Sequence, residues 1–132
     1  MGILLNREAI FAAPDIQTED VHIPQWGGTV RVKNLTASER DAFEESTTTQ
    51  RGNNLELNRK NFRAKLVALC VVDEEGKRLF DDKDIHKLGA KSAAAMDLLF
   101  AAASRLSGIS KDDEDELLKN SDGDQSDDSS SA

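Results

Sequence analysis

The chain has 132 residues, 38% of them apolar, and a formal charge of −8, which is enough material for one core and too little for two. The charge is uneven: residues 111–132 hold nine Asp or Glu against two Lys, or −7, whereas residues 1–110 hold 16 acidic and 15 basic side chains, or −1. Such a chain has no basic face to displace counterions from a nucleic acid, and its acidic end is repelled by phosphates and anionic membranes, so neither is an expected partner.

Cys70 is the single cysteine, which excludes an intramolecular disulfide or thiolate cluster and points to a reducing compartment. The first residues lack a basic leader, and no stretch approaches the roughly 18 apolar residues that span a bilayer, so a cytosolic protein is expected.

In chain order, Asn6 is placed to cap a short helix over Arg7 to Phe11, a docking segment that Pro14 ends for want of an amide proton. From Asp20 the period changes to two. Val21 and Ile23 alternate with His22, Val30 and Val32 alternate with Arg31 and Lys33, and Gly27-Gly28 between them supply the positive φ angles of a hairpin turn. Thr36-Ala37-Ser38-Glu39 is a capping-box pattern that starts a helix running through Phe43 to about Ser46. The polar stretch Thr47 to Asn54 reads as a loop.

Apolar positions at Leu55, Phe62, Leu66, Leu69 and Cys70 predict a central helix from Leu55 to about Val71. The acidic, glycine-containing turn between Val71-Val72 and Leu79-Phe80 suggests a second small hairpin. Asp81 or Asp82 then caps a short helix through Ile85 and Leu88 that Gly89 ends. Ser92 opens a last helix reaching Ser107, with Gly108 as its left-handed cap. Beyond Lys111 only Leu117 and Leu118 are large and apolar, too few to offset ordering entropy, so disorder is expected there. The expected fold is therefore mainly α with a small N-terminal β-hairpin, over residues 1–110, followed by a disordered acidic tail over residues 111–132.

Chemistry is hard to find. His22 and His86 have no ligand partners at a recognisable spacing, and the run Asp81-Asp82-Lys83-Asp84 lacks the remainder of a calcium loop and reads as a helix cap. Cys70 lies on an apolar stripe, where a thiol behaves as a small hydrophobe. Neither a phosphate loop nor a nucleophile elbow is present. No catalytic, metal or cofactor site is assigned, and the protein is read as non-enzymatic.

Two features bear on binding. Trp26, the only tryptophan, either folds over the hairpin to close the core or anchors a partner. On the last helix, Met96, Leu99, Phe100, Ala103 and Leu106 form a core stripe, while Ala94, Ala95, Leu98 and Ala102 widen the apolar circumference. Either that helix is central, or its second face meets another protein, whether a different partner or another copy in a homo-oligomer.

The phrase Val21-His22-Ile23-Pro24-Gln25-Trp26-Gly27-Gly28-Thr29-Val30-Arg31-Val32, followed by Leu35 to Arg40, resembles the opening of the tail assembly chaperones of long-tailed bacteriophages. Val72 to Asp81, then Leu88-Gly89 and the Ser92 to Leu106 helix, are similar to the family's second half, and the resemblance spans residues 15–108. It implies a non-catalytic protein of the bacterial host cytoplasm, absent from the finished virion, that keeps the tape measure protein soluble and helps recruit tail tube subunits. It also implies a longer, frameshifted product. The competing reading is an acidic adaptor or nucleic-acid mimic acting on a host target, which would usually spread its carboxylates over a folded surface.

Overall fold

The alternating segments pair as their periodicity dictates. In the computed structural model, which describes residues 2–109 apart from the Leu57 side chain, β1 (Thr18–Ile23) and β2 (Gly28–Lys33) are antiparallel with Val21 opposite Val30 and Ile23 opposite Gly28. A 3₁₀ turn at Pro24–Trp26 joins them, closed by Gly27 at φ +66°. Only this first glycine supplies a positive φ; Gly28 is already paired within β2. Ahead of the sheet, α1 (Arg7–Ala12) is capped by the Asn6 side chain, which accepts from the Ala9 N–H, and buries none of its residues.

Three residues past β2, the Thr36 hydroxyl accepts from the Glu39 N–H and the Glu39 carboxylate accepts from the Thr36 N–H, starting α2 (Ala37–Thr47) with both halves of the capping box in place. The same carboxylate accepts from the Lys33 ammonium, whose residue is 8% exposed. Partial burial pushes the Glu39 carboxyl up, but the bonds from Lys33 and Thr36 outweigh it and hold the group below its ordinary value of 4.5.

The fold is α+β with two sheets, which corrects the expectation of a mainly α domain with one N-terminal hairpin. Thr47 to Asn54 is not a loop: β3 (Thr48–Arg51) pairs with β4 (Asn54–Leu57) around Gly52 at φ +61°. Every residue of β3 is exposed, so no apolar alternation marked it. Leu55 accordingly belongs to a strand and is exposed, and α3 is shorter than its stripe suggested, Phe62–Cys70, beginning at Asn61 in the left-handed region at φ +56°. The Val71–Val72 pair, β5, continues straight from α3 and joins the first sheet as its third strand, with Val71 opposite Val32. The second hairpin is reduced to one bridge between Val72 and Arg78.

The rest follows the caps. Asp81 opens a 3₁₀ turn at Asp82–Asp84 that leads into α4 (Ile85–Leu88), and Ser92 caps α5 (Ala93–Leu106), with Gly108 left-handed beyond it. α5 lies between α3 on one flank and β1 and β2 on another. Leu66, Val67, Leu99, Ala95 and Ala103 meet Ile23 and Val32 in a core without solvent, and the rings of Phe43, Phe62 and Phe100 stack along its edge at 5.2 and 5.7 Å. The acidic segment 111–132 and its expected disorder lie outside the described residues.

Thr36→Ala should cost about 1 kcal/mol in urea unfolding. Glu39→Ala should cost more, because it removes a cap and also strands the Lys33 ammonium, and Lys33→Met in that background should recover part of the loss. Since the folded Glu39 pKa is depressed, its contribution is complete above the unfolded value and is lost as acid protonates it. The decline in melting temperature from about pH 7 to about pH 3 should therefore be shallower in Glu39→Gln than in the parent.

Candidate functional site: an apolar groove and an uncovered helix face

The breadth of apolar character on α5 resolves into two buried flanks and one open strip. Ala95 and Ala102 are 0% and 2% exposed and belong to the core, where their small side chains let the helix approach its neighbours closely. They are therefore not available to a partner. Ala94 and Leu98 remain outside, Leu98 at 41%, and Ala101 extends their strip by one turn. Ion pairs tie down the flanks: Arg63 Nε lies 2.7 Å from Asp97 Oδ1, and Arg105 Nη2 donates to both oxygens of Glu19 at 2.6 Å. Exposed pairs of this kind contribute little to stability, but they draw the charges off the apolar strip.

Trp26 sits at a second feature. Its half-buried ring packs on the core and also lines a groove of about 510 Å³ with Leu79, Phe80 and Leu88, rimmed by Asp84, Lys87 and Lys91. Leu79 is 53% exposed, and the Lys91 ammonium stands 5.9 Å from the centre of the indole, within cation–π range. One edge of the Trp26 ring thus closes the core, and the other opens onto the groove. The groove's other residues went unread because Leu79 and Phe80 looked like hairpin positions. The available signal was Lys87 and Lys91, four residues apart, flanking Leu88.

A third surface is apolar without being concave. Ile3, Leu4, Leu5, Ile10 and Phe11 are all more than half exposed on and before α1.

The polar candidates are engaged structurally. Asp81 accepts from the Lys83 N–H while Asp84 accepts from the Asp81 N–H, a reciprocal cap. Asp20 is held below the ordinary carboxylate range by its two bonds to Arg31 across the strands, and Asp73 by the N–H groups of Lys77 and Glu75 in the turn closed by Gly76. His22 and His86 are exposed. Among the described residues no group of three or more His, Cys, Asp or Glu is placed to hold a metal ion, and no helix is long and apolar enough to cross a membrane.

A small α+β domain that presents an apolar groove, an uncovered helix face and an apolar arm offers surfaces suited to holding another polypeptide. The chain belongs to the phage tail assembly chaperones: the model of that family matches residues 5–120. The match runs beyond residues 15–108, taking in the α1 arm at one end and the acidic stretch that contains Leu117 and Leu118 at the other. No curated protein and no solved structure matches the chain.

Burial pushes the Cys70 thiol up to about 12, with the Lys33 ammonium pulling weakly the other way. The native protein should resist a disulfide-exchange thiol reagent at about pH 8, and denaturant should release one reactive thiol per chain. Fast labelling without denaturant would contradict the burial.

Proposed function

We propose that this chain holds the phage tape measure protein in soluble form in the cytoplasm of the bacterial host, helps deliver tail tube subunits to it, and leaves before the virion is complete. The reading rests on one observation, apolar surface left uncovered on a member of the tail assembly chaperone family. A tape measure protein is long and helical, so it exposes apolar helical faces until the tube surrounds it. Ala94, Leu98 and Ala101 form a shallow strip against which such a helix can lie, and Trp26, whose ring is approached by Lys91 just ahead of α5, offers an aromatic anchor. The work proposed is contact, with no bond made or broken, and a neutral domain carrying a strongly acidic end suits a protein that must keep an apolar client dispersed.

The test is coexpression of the chain with the tape measure protein of the same phage. Leu98→Asp, with Ala94→Asp, should leave the circular dichroism and melting of the chaperone intact and abolish the gain in soluble tape measure protein. An unchanged yield would remove the strip from the interface. Ala102→Asp is the contrasting control, since a carboxylate at a 2% exposed core position should lower the melting temperature outright.

The family match ends at Asn120, within Leu118-Lys119-Asn120, residues whose codons can read as an A-AAA-AAC slippery heptamer. A slip there would leave most chains in this frame and give a minority a second domain able to contact tube subunits. The codons and the minus-one frame test this directly. An open overlapping frame, and a larger product with the same N-terminus by mass spectrometry, are expected; absence of both removes the frameshift.

A further inference from the structure

The Trp26 groove carries a charge pattern that the rest of the near-neutral domain does not. Its floor is apolar, from Trp26, Leu79, Phe80 and Leu88, and its rim holds Lys87 and Lys91, with Lys83 one turn before. Among the described residues none of these three lysines forms an ion pair, and the exposed Lys91 ammonium stands over the indole. Asp84, the one carboxylate on the rim, is occupied in capping, where it accepts from the Asp81 N–H. An occupant suited to this groove has apolar side chains next to a block of negative charge.

The chain itself contains that pattern: Asp112, Asp113, Glu114, Asp115 and Glu116 run directly into Leu117 and Leu118. We propose that the Trp26 groove is the docking site of residues 112–118 of the same chain, with Leu117 and Leu118 on its floor and the preceding carboxylates against Lys87 and Lys91. Reach permits it. The groove lies at the start of α5 and Ile109 lies just past its end, a 14-residue helix apart, or about 21 Å. The chain from Ile109 to Leu117 extends up to about 26 Å. The family match includes this segment and excludes residues 121–132, although both stretches are acidic. That division separates a segment with a place to bind from one that contributes charge alone.

Docked in this way, the segment shields the exposed edge of Trp26 and covers Leu79 until a client displaces it. The interaction is internal, so its test requires no tape measure protein and stands or falls apart from the client reading. Trp26 is the only tryptophan, which makes its fluorescence a direct report on the groove. In the full chain, Leu117→Asp/Leu118→Asp should shift its emission to the red and increase quenching by acrylamide, with circular dichroism and melting otherwise retained. About 1 M salt, where the Debye length falls to about 3 Å, should move the parent towards that variant and leave the variant unmoved. Lys87→Glu should expose the indole likewise, and Glu114→Lys/Glu116→Lys in that background should cover it again. A peptide of residues 110–120 should reverse the red shift of the Leu117→Asp/Leu118→Asp chain, and the same peptide with both leucines replaced by Asp should not. Identical emission and quenching in parent and Leu117→Asp/Leu118→Asp would overturn the proposal. So would protection that vanishes on dilution together with a dimer by light scattering, since a second copy would then be the occupant.

Discussion

The ion pair between Lys33 and Glu39 organises this molecule. A lysine at the end of β2 that is 8% exposed cannot hold its charge without a partner at close range. Glu39 provides the partner, and its second bond, to the Thr36 N–H, starts α2. Between them lies Leu35, buried, whose N–H is donated to the Ser107 hydroxyl at the far end of α5. The Cys70 thiol, at the end of α3, is buried close enough to feel the charges of both Lys33 and Glu39. Within seven residues the chain thus ends a strand, begins a helix and ties down the end of α5. Charge on Lys33 makes that arrangement specific, because a slip of β2 by one position would carry the ammonium away from its carboxylate.

With the ends pinned, α5 has to satisfy two neighbours. Helix α3 and the sheet both demand apolar contact, and alanines at Ala95, Ala102 and Ala103 let one helix meet both without opening a void. Two buried flanks on a helix of 3.6 residues per turn leave a narrow third side. Ala94, Leu98 and Ala101 occupy it, and neighbouring Asp97 and Arg105 are drawn off to Arg63 and Glu19. The exposed strip is therefore a consequence of how α5 is packed, and a single aspartate could erase it without disturbing the core.

Much of this frame was legible because its determinants are local. The hairpin, the Thr36 box, the Ser92 cap and Gly108 are each specified by neighbours a few residues apart. The β3–β4 hairpin was invisible for a physical reason: both faces of β3 are wet, so neither the period of two nor any apolar content could announce it. Leu55, borrowed by the helical stripe of α3, was the cost of that silence. The division of α5 was unreadable too. Periodicity gives the angle of a side chain about its axis, but not how many neighbours the axis has, and it was the second neighbour that claimed Ala95 and Ala102. The groove around Trp26 joins residues 26, 79, 80 and 88 from three separate segments, a juxtaposition made only by tertiary packing.

The two uncovered apolar surfaces differ in what they ask of an occupant. The α5 strip is small-sided and carries one large side chain, so burying it contributes little beyond the roughly 1.5–3 kcal/mol of a leucine, and rigid-body entropy opposes even that. The Trp26 groove adds an aromatic edge and two lysines to its apolar floor, giving directional and charge-dependent contacts. Each surface taken alone is therefore a weak one. Surfaces of that kind bind tightly only where one polypeptide engages more than one of them, because the second contact is then made at high effective concentration.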